Sequence, residues 1–186
     1  MFSGVNNPSG IFFAATAPVY LALVPISAAI TKPGSIVQKL VEVVINCTVG
    51  SNAAPDRAIP ALTVLYAFWT FAGSSALSGA AQAMSRAQGL DSDHPRKHRA
   101  NMEGLPLRLM SAHLSLMENF PLFAAGACLA QVLAPDDQQI LNLLGLHVLL
   151  KVFVYYPSYV AGYAPPRSLS HLLSISTVIR VFWQLA

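Results

Sequence analysis

Arg108, Ser111, Ser115 and Glu118 lie three or four residues apart within one apolar stretch. On a helix, at about 100° per residue, they fall within roughly 80° of one another, while His113 points away near 140° from Arg108. The next apolar segment repeats the device with His147, Lys151, Tyr155 and Ser158. The last one carries Arg167, Ser170, His171, Ser174 and Thr177, again at helical spacing. Carboxylate, amine, imidazole and phenol groups on three successive apolar helices can move protons, hold a charged ligand, or donate to a developing anion. An ion at membrane depth costs about 2.5–3.5 kcal/mol on the insertion scale, so Glu118 and Lys151 need a reason to be there. A plainer reading competes for the remaining residues. Ser and Thr let helices pack closely, Arg108 and Arg167 near segment ends can snorkel, and Lys151 can pair with Glu118.

The segments that must position these groups are legible from the charge distribution. Of 186 residues, 54% are hydrophobic and 10% are charged, against about 25% charged in soluble domains. That composition excludes a disordered chain, a coiled coil and a nucleic-acid module. No charge occurs from Met1 to Thr31 or from Ala58 to Ser85. The second stretch exceeds the roughly 20 residues that cross a bilayer core. Within the first, Ile11 to Ile30 reads as a further span, interrupted by Pro18 and Pro25; a re-entrant or interfacial segment is the rival. No Lys or Arg precedes it, which argues against a cleaved signal peptide. Leu105–Ala134, Gln139–Ala164 and Ser168–Ala186 complete the apolar segments, separated by Pro135-Asp136-Asp137-Gln138 and Pro165-Pro166-Arg167. Short turns between long apolar segments predict an all-α, antiparallel membrane bundle without sheet.

Two longer connections remain. In Lys32–Arg57, the residues Ile36, Val37, Leu40, Val41 and Val44 recur at helical spacing and predict a short amphipathic helix on the membrane surface. The loop Arg86–Arg108 gathers Arg86, Arg96, Lys97, Arg99 and Arg108 with His94 and His98, which places it on the cytosolic face. Alternation then puts Lys32–Arg57 on the far side, where Asn46-Cys47-Thr48 fits the glycosylation acceptor pattern. Cys47 and Cys128 lack metal-ligand spacing, so neither a zinc site nor a structural disulfide is expected.

The run Arg108-Leu-Met-Ser-Ala-His113-Leu-Ser115-Leu-Met-Glu118-Asn119-Phe-Pro121-Leu-Phe123 resembles the second transmembrane helix of the MAPEG superfamily, the membrane-associated proteins in eicosanoid and glutathione metabolism. Lys151-Val-Phe-Val-Tyr155-Tyr156-Pro157-Ser158-Tyr159, with Arg167-Ser168 downstream, is similar to that family's third helix and the opening of its fourth. The resemblance covers roughly residues 58–186 and implies a four-helix membrane domain there. Residues 1–57 then form an extension carrying an extra apolar helix. It further implies a homotrimer, residence in the endoplasmic reticulum membrane, and glutathione held between subunits beside a small lipophilic substrate. On the matching positions, Arg167 would stabilise the thiolate, since a nearby cation raises the thiolate fraction. Arg108, His113, Ser115, Glu118, Lys151 and Tyr155 would contact the cofactor, and Tyr159 or Tyr155 would donate to the substrate. The family's second Arg is Ser111 here, its Asn is Ser115, and the Arg of its third helix is Lys151. These changes leave fewer partners for a tripeptide with two carboxylates.

Three functions are therefore carried forward. The first is a glutathione transferase or isomerase acting on a lipophilic substrate. The second is a glutathione-independent isomerase or cyclase with a buried Glu118 as acid and base. The third is a membrane scaffold or accessory subunit whose polar stripes only register helix packing. None of the three involves nucleic acid or a metal.

Overall fold

The protein is described by a computed structural model covering residues 10, 14, 16–50, 55–94 and 97–186. Ile11, Phe12, Phe13 and Ala15 of the first apolar segment, and Arg96 of the basic loop, lie outside the described residues. Among those described, every regular element is helical. In chain order they are α1 (Ala17–Ala22), α2 (Val24–Ile30), α3 (Ile36–Val49), α4 (Ala58–Phe68), α5 (Ser74–Met84), α6 (Gly104–Leu133), α7 (Gln138–Leu149), α8 (Tyr156–Ala161) and α9 (Ala164–Leu185).

Wide π turns at Trp69–Gly73 and Leu150–Tyr155 join α4 to α5 and α7 to α8. The composite helices Ala58–Met84 and Gln138–Ala161, together with α6, are long and apolar enough to cross a membrane. α9 has comparable length at 22 residues but is more polar, because its stripe of Arg, His and Ser interrupts the apolar run. The described part of the first segment, Ala17–Ile30, has 14 residues. At about 1.5 Å per residue that falls short of a 30 Å hydrocarbon core.

Each local irregularity has a cause in the sequence. Pro157 cannot donate to a carbonyl on the preceding turn, and the wider turn Leu150–Tyr155 precedes it. At Gly73 a Cβ would meet the Trp69 ring at 2.9 Å; its absence lets the indole fold over the backbone and meet Tyr156 edge-on. α8 stops at Gly162, which adopts the left-handed conformation (φ 81°) while Tyr163 N–H donates to Ser158 O. Asp137 opens α7 by accepting from the N–H groups of Gln139 and Ile140. Its second carboxylate oxygen accepts from Gln184 near the end of α9 at 2.8 Å. Gln131 of α6 donates to Asp56 O just ahead of α4. The start of α4, the end of α6, the start of α7 and the end of α9 therefore share one end of an antiparallel bundle.

The amphipathic helix expected in Lys32–Arg57 is α3. Ser35 caps it by accepting from Gln38 N–H, and Gln38 accepts from Gly34 N–H in return. α3 leans on α4 and α7 with Val41 and Ile45 buried. Val41 sits directly over Gly145, where no side chain fits. Ile36 and Leu40 of the same apolar pattern stay exposed, because the stripe is broader than the seam it fills. Thr48 of the acceptor triplet lies within this helix and donates to Val44 O.

α1 and α2 rest against α9, and α2 also touches α7. Gln139 donates to Ala28 O, Asn142 to Thr31 O, and Ser176 to Tyr20 O. In the loop after α5, Asp91 accepts from His94 N–H and lies 3.1 Å from His98 and 3.7 Å from Arg86. The His94 N–H first, then the His98 side chain and Arg86, hold its carboxyl below the usual carboxylate range.

Two outcomes are expected. Gly145→Leu should lower stability by about 1–3 kcal/mol through overpacking against Val41, and Val41→Ala should restore part of the loss; thermal unfolding in detergent measures both. Because the folded value of Asp91 is lowered, its loop contacts should persist as pH falls through the ordinary aspartate range near 4 and be lost only below it. Hydrogen exchange at the His94 amide, compared with Asp91→Asn, reads that limit.

Candidate functional site

The three polar stripes meet where α6, the π turn Leu150–Tyr155, α8 and α9 converge. Lys151 has no exposed surface. Its Nζ lies 2.9 Å from His171 Nδ1 and 4.4 Å from the centre of the Tyr155 ring. A short N···N contact requires one nitrogen to offer a lone pair, so the pair shares one fewer proton than two cations would hold. No ion pair joins Lys151 to Glu118 among the described residues; His171 occupies that role. The π turn helps bring Lys151 and Tyr155 inward together, since both are buried within it.

Tyr155 O–H donates to Ser115 Oγ on α6 at 2.7 Å, and Asn119 donates to the Ser115 carbonyl. The Tyr155 ring packs on Tyr159 and His171, each 5.6 Å away between centroids. The Arg167 guanidinium covers the Tyr159 ring at 4.8 Å. Arg108 Nε donates to Val160 O at 2.8 Å and its chain runs along Gly162. Ser115, Lys151, Tyr155, Tyr159, Arg167, His171 and Arg108 thus form one continuous cluster across three helices. Arg108, Tyr159 and Arg167 lie at its half-open edge, whereas Lys151 lies at its closed floor.

Two residues proposed from the sequence lie outside the hydrogen-bonded part of the cluster, although Glu118 stays within electrostatic reach of Tyr155. Glu118, one turn beyond Ser115, is exposed rather than buried, and among the described residues it has neither a hydrogen bond nor an ion pair. The premise of a buried acid in an apolar pocket is therefore corrected: α6 turns Glu118 onto the outside of the single chain. His113 faces α5 instead, with Nδ1 2.9 Å from Ser74 Oγ. Ser74 already donates to Thr70 O, so His113 is the donor. His113 borders a cavity of about 390 Å³ with Ser75, Ser78, Gln82, Arg99 and Met117.

His147 belongs to the seam beneath the cluster. Its Nδ1–H donates to Ser174 O, its ring stacks on Phe123, and it is fully buried. The sequence reading missed Tyr20, which meets His171 edge-on at 6.3 Å, and Arg99 beside His113. No periodicity links Tyr20 to α9, and Arg99 looked like one more loop cation.

An all-α bundle with three membrane-capable helices and a buried polar cluster between them defines an integral membrane protein. Residues 59–186 match the MAPEG family, and the chain belongs to it. No curated protein and no solved structure matches the chain.

The Lys151–His171 contact makes an energetic prediction. His171→Leu should destabilise the protein by about 3 kcal/mol or more by orphaning a buried amine, whereas the double variant Lys151→Met/His171→Leu should recover most of the loss. Urea or thermal unfolding of the four proteins closes the cycle.

Proposed function

We propose that the chain is a membrane-embedded enzyme that holds glutathione at the half-open edge of this cluster and acts on a small lipophilic molecule. The observation that carries the reading is the charge on that edge. Arg108, Arg167 and Glu118 lie in or near membrane-crossing helices with no ion-pair partner among the described residues. A charge placed so takes its partner from a ligand or a neighbouring subunit.

The donor set suits a small zwitterionic peptide. Two guanidinium groups face carboxylate and thiolate, and one carboxylate can accept from an ammonium. Glutathione supplies the nucleophilic thiol. Arg167 would lower the cost of a thiolate beside it, and Arg108 and Glu118 would orient the peptide ends. The Arg108 Nε is committed to Val160 O, which leaves the outer edge of its guanidinium for a ligand. Tyr159 has no side-chain hydrogen bond among the described residues and is the phenol free to donate to an anion forming on the substrate. Tyr155 is engaged by Ser115 and, with Lys151 and His171, forms the supporting floor. This differs from the direct cofactor contact that the resemblance implied for Lys151.

The same reading places residues 58–186 as the four-helix domain and residues 1–57 as an extension. It takes the assembly as a homotrimer in the endoplasmic reticulum membrane, with the Arg86–Arg108 loop toward the cytosol. A partner subunit would cover Glu118.

Titrating the purified protein with glutathione and following ultraviolet thiolate absorbance tests the proposal. Saturation in the millimolar range or below is expected. Arg167→Ala should abolish the thiolate signal while retaining weakened binding, and Glu118→Gln should weaken binding about tenfold or more. Absence of binding at millimolar glutathione overturns the reading.

A further inference from the structure

We infer that Tyr20, on the helical segment preceding the family-matched region, is a positioning residue that holds His171 in register with Lys151. The inference concerns the floor of the cluster and stands whether or not its edge binds glutathione.

His171 is half-buried on α9 and lies between two aromatic rings. Tyr155 lies against it at 5.6 Å with planes inclined by 40°, and Tyr20 meets it at 6.3 Å with planes inclined by 77°. An imidazole has two unlike nitrogens, and a ring flip would carry Nδ1 away from Lys151. Tyr155 comes from the helix that also bears Lys151, so it borders the ring from the site side. Tyr20 supplies the remaining restraint from outside the four-helix domain.

The position of Tyr20 is itself built. Its carbonyl lies 2.8 Å from Ser176 Oγ, a buried hydroxyl whose single proton is shared with Leu172 O at the same distance. About one, two and three turns onward, Val24, Ser27 and Thr31 are buried. Ala28 O and Thr31 O accept from Gln139 and Asn142 of α7. Three side chains of the bundle, two on α7 and one on α9, thus donate to three backbone carbonyls of this segment and, with its buried side chains, fix its depth and rotation. The side chain then delivered to His171 is a tyrosine ring. Loss of that ring leaves His171 restrained on one side, which loosens the hydrogen bond satisfying the buried Lys151 amine.

The experiment uses the full-length protein in detergent, ¹⁵N-labelled at its five histidines, with His171 assigned by its loss in His171→Gln. A parallel readout is the acylation rate of Lys151 by an apolar succinimidyl ester, followed by peptide mass mapping. The wild type and Tyr20→Phe should show His171 in one tautomer and slow acylation of Lys151. Tyr20→Ala should give averaged imidazole resonances and acylation about tenfold faster. Ser176→Ala should move both readouts in the same direction. Tyr20→Leu, which keeps bulk without a ring, should behave like Tyr20→Ala; it decides the question if Tyr20→Ala does not fold. Wild-type resonances and acylation in folded Tyr20→Ala, or in Tyr20→Leu, overturn the inference.

Discussion

A buried amine with no carboxylate beside it is the hardest group in this bundle to accommodate. Lys151 is enclosed on all sides, and its contacts with His171 and the Tyr155 face replace the water it has lost. Those contacts place three elements at once. His171 sets the rotation of α9, Tyr155 the course of the π turn, and Ser115, through the Tyr155 hydroxyl, the face that α6 turns inward. His147 repeats the arrangement about one turn away by donating to the backbone of α9. In an environment without water, each such bond has few alternatives, so a handful of them specify the packing of otherwise interchangeable apolar helices.

The same economy explains how the cluster divides into floor and edge. Lys151, Tyr155, Ser115 and His171 satisfy one another. Arg108 and Arg167 are only partly engaged, one by a carbonyl and one by a ring, and Glu118 has no hydrogen bond or ion pair among the described residues. Function is assigned to the edge because its charges retain bonding capacity, and support to the floor because its groups do not. The substitution of Lys for the family's Arg in the third helix fits this division. The compact amine is held by one imidazole and one aromatic face, whereas a guanidinium would spread five donors over a planar fork.

The helical segment ahead of the matched region gives the chain a feature of its own. Its carbonyls are claimed by Gln139, Asn142 and Ser176, three polar residues of the bundle that would otherwise face lipid or each other. α3 adds a second brace through Val41 over Gly145. Both helices therefore belong to the packed structure, although neither one, over the described residues, is long enough to cross a bilayer.

Much of this was legible from residue order. Uncharged stretches and the polar turn at Pro135–Gln138 marked the long helices to within a few residues, because lipid tolerates neither charge nor open backbone. Helical spacing identified the stripes on α6, α7–α8 and α9, since it follows from covalent geometry. Partner choice was not legible in this way. Spacing suggested Glu118 as the partner of Lys151 and a buried Glu118, and gave no sign of the contact with His171. Rotation of α6 against α9 settled both, turning Glu118 outward and His171 toward the amine. Nor does any periodic signal connect Tyr20 to a histidine 151 residues later. Such contacts depend on how whole helices rotate and slide against one another, which is set by packing summed over the full bundle.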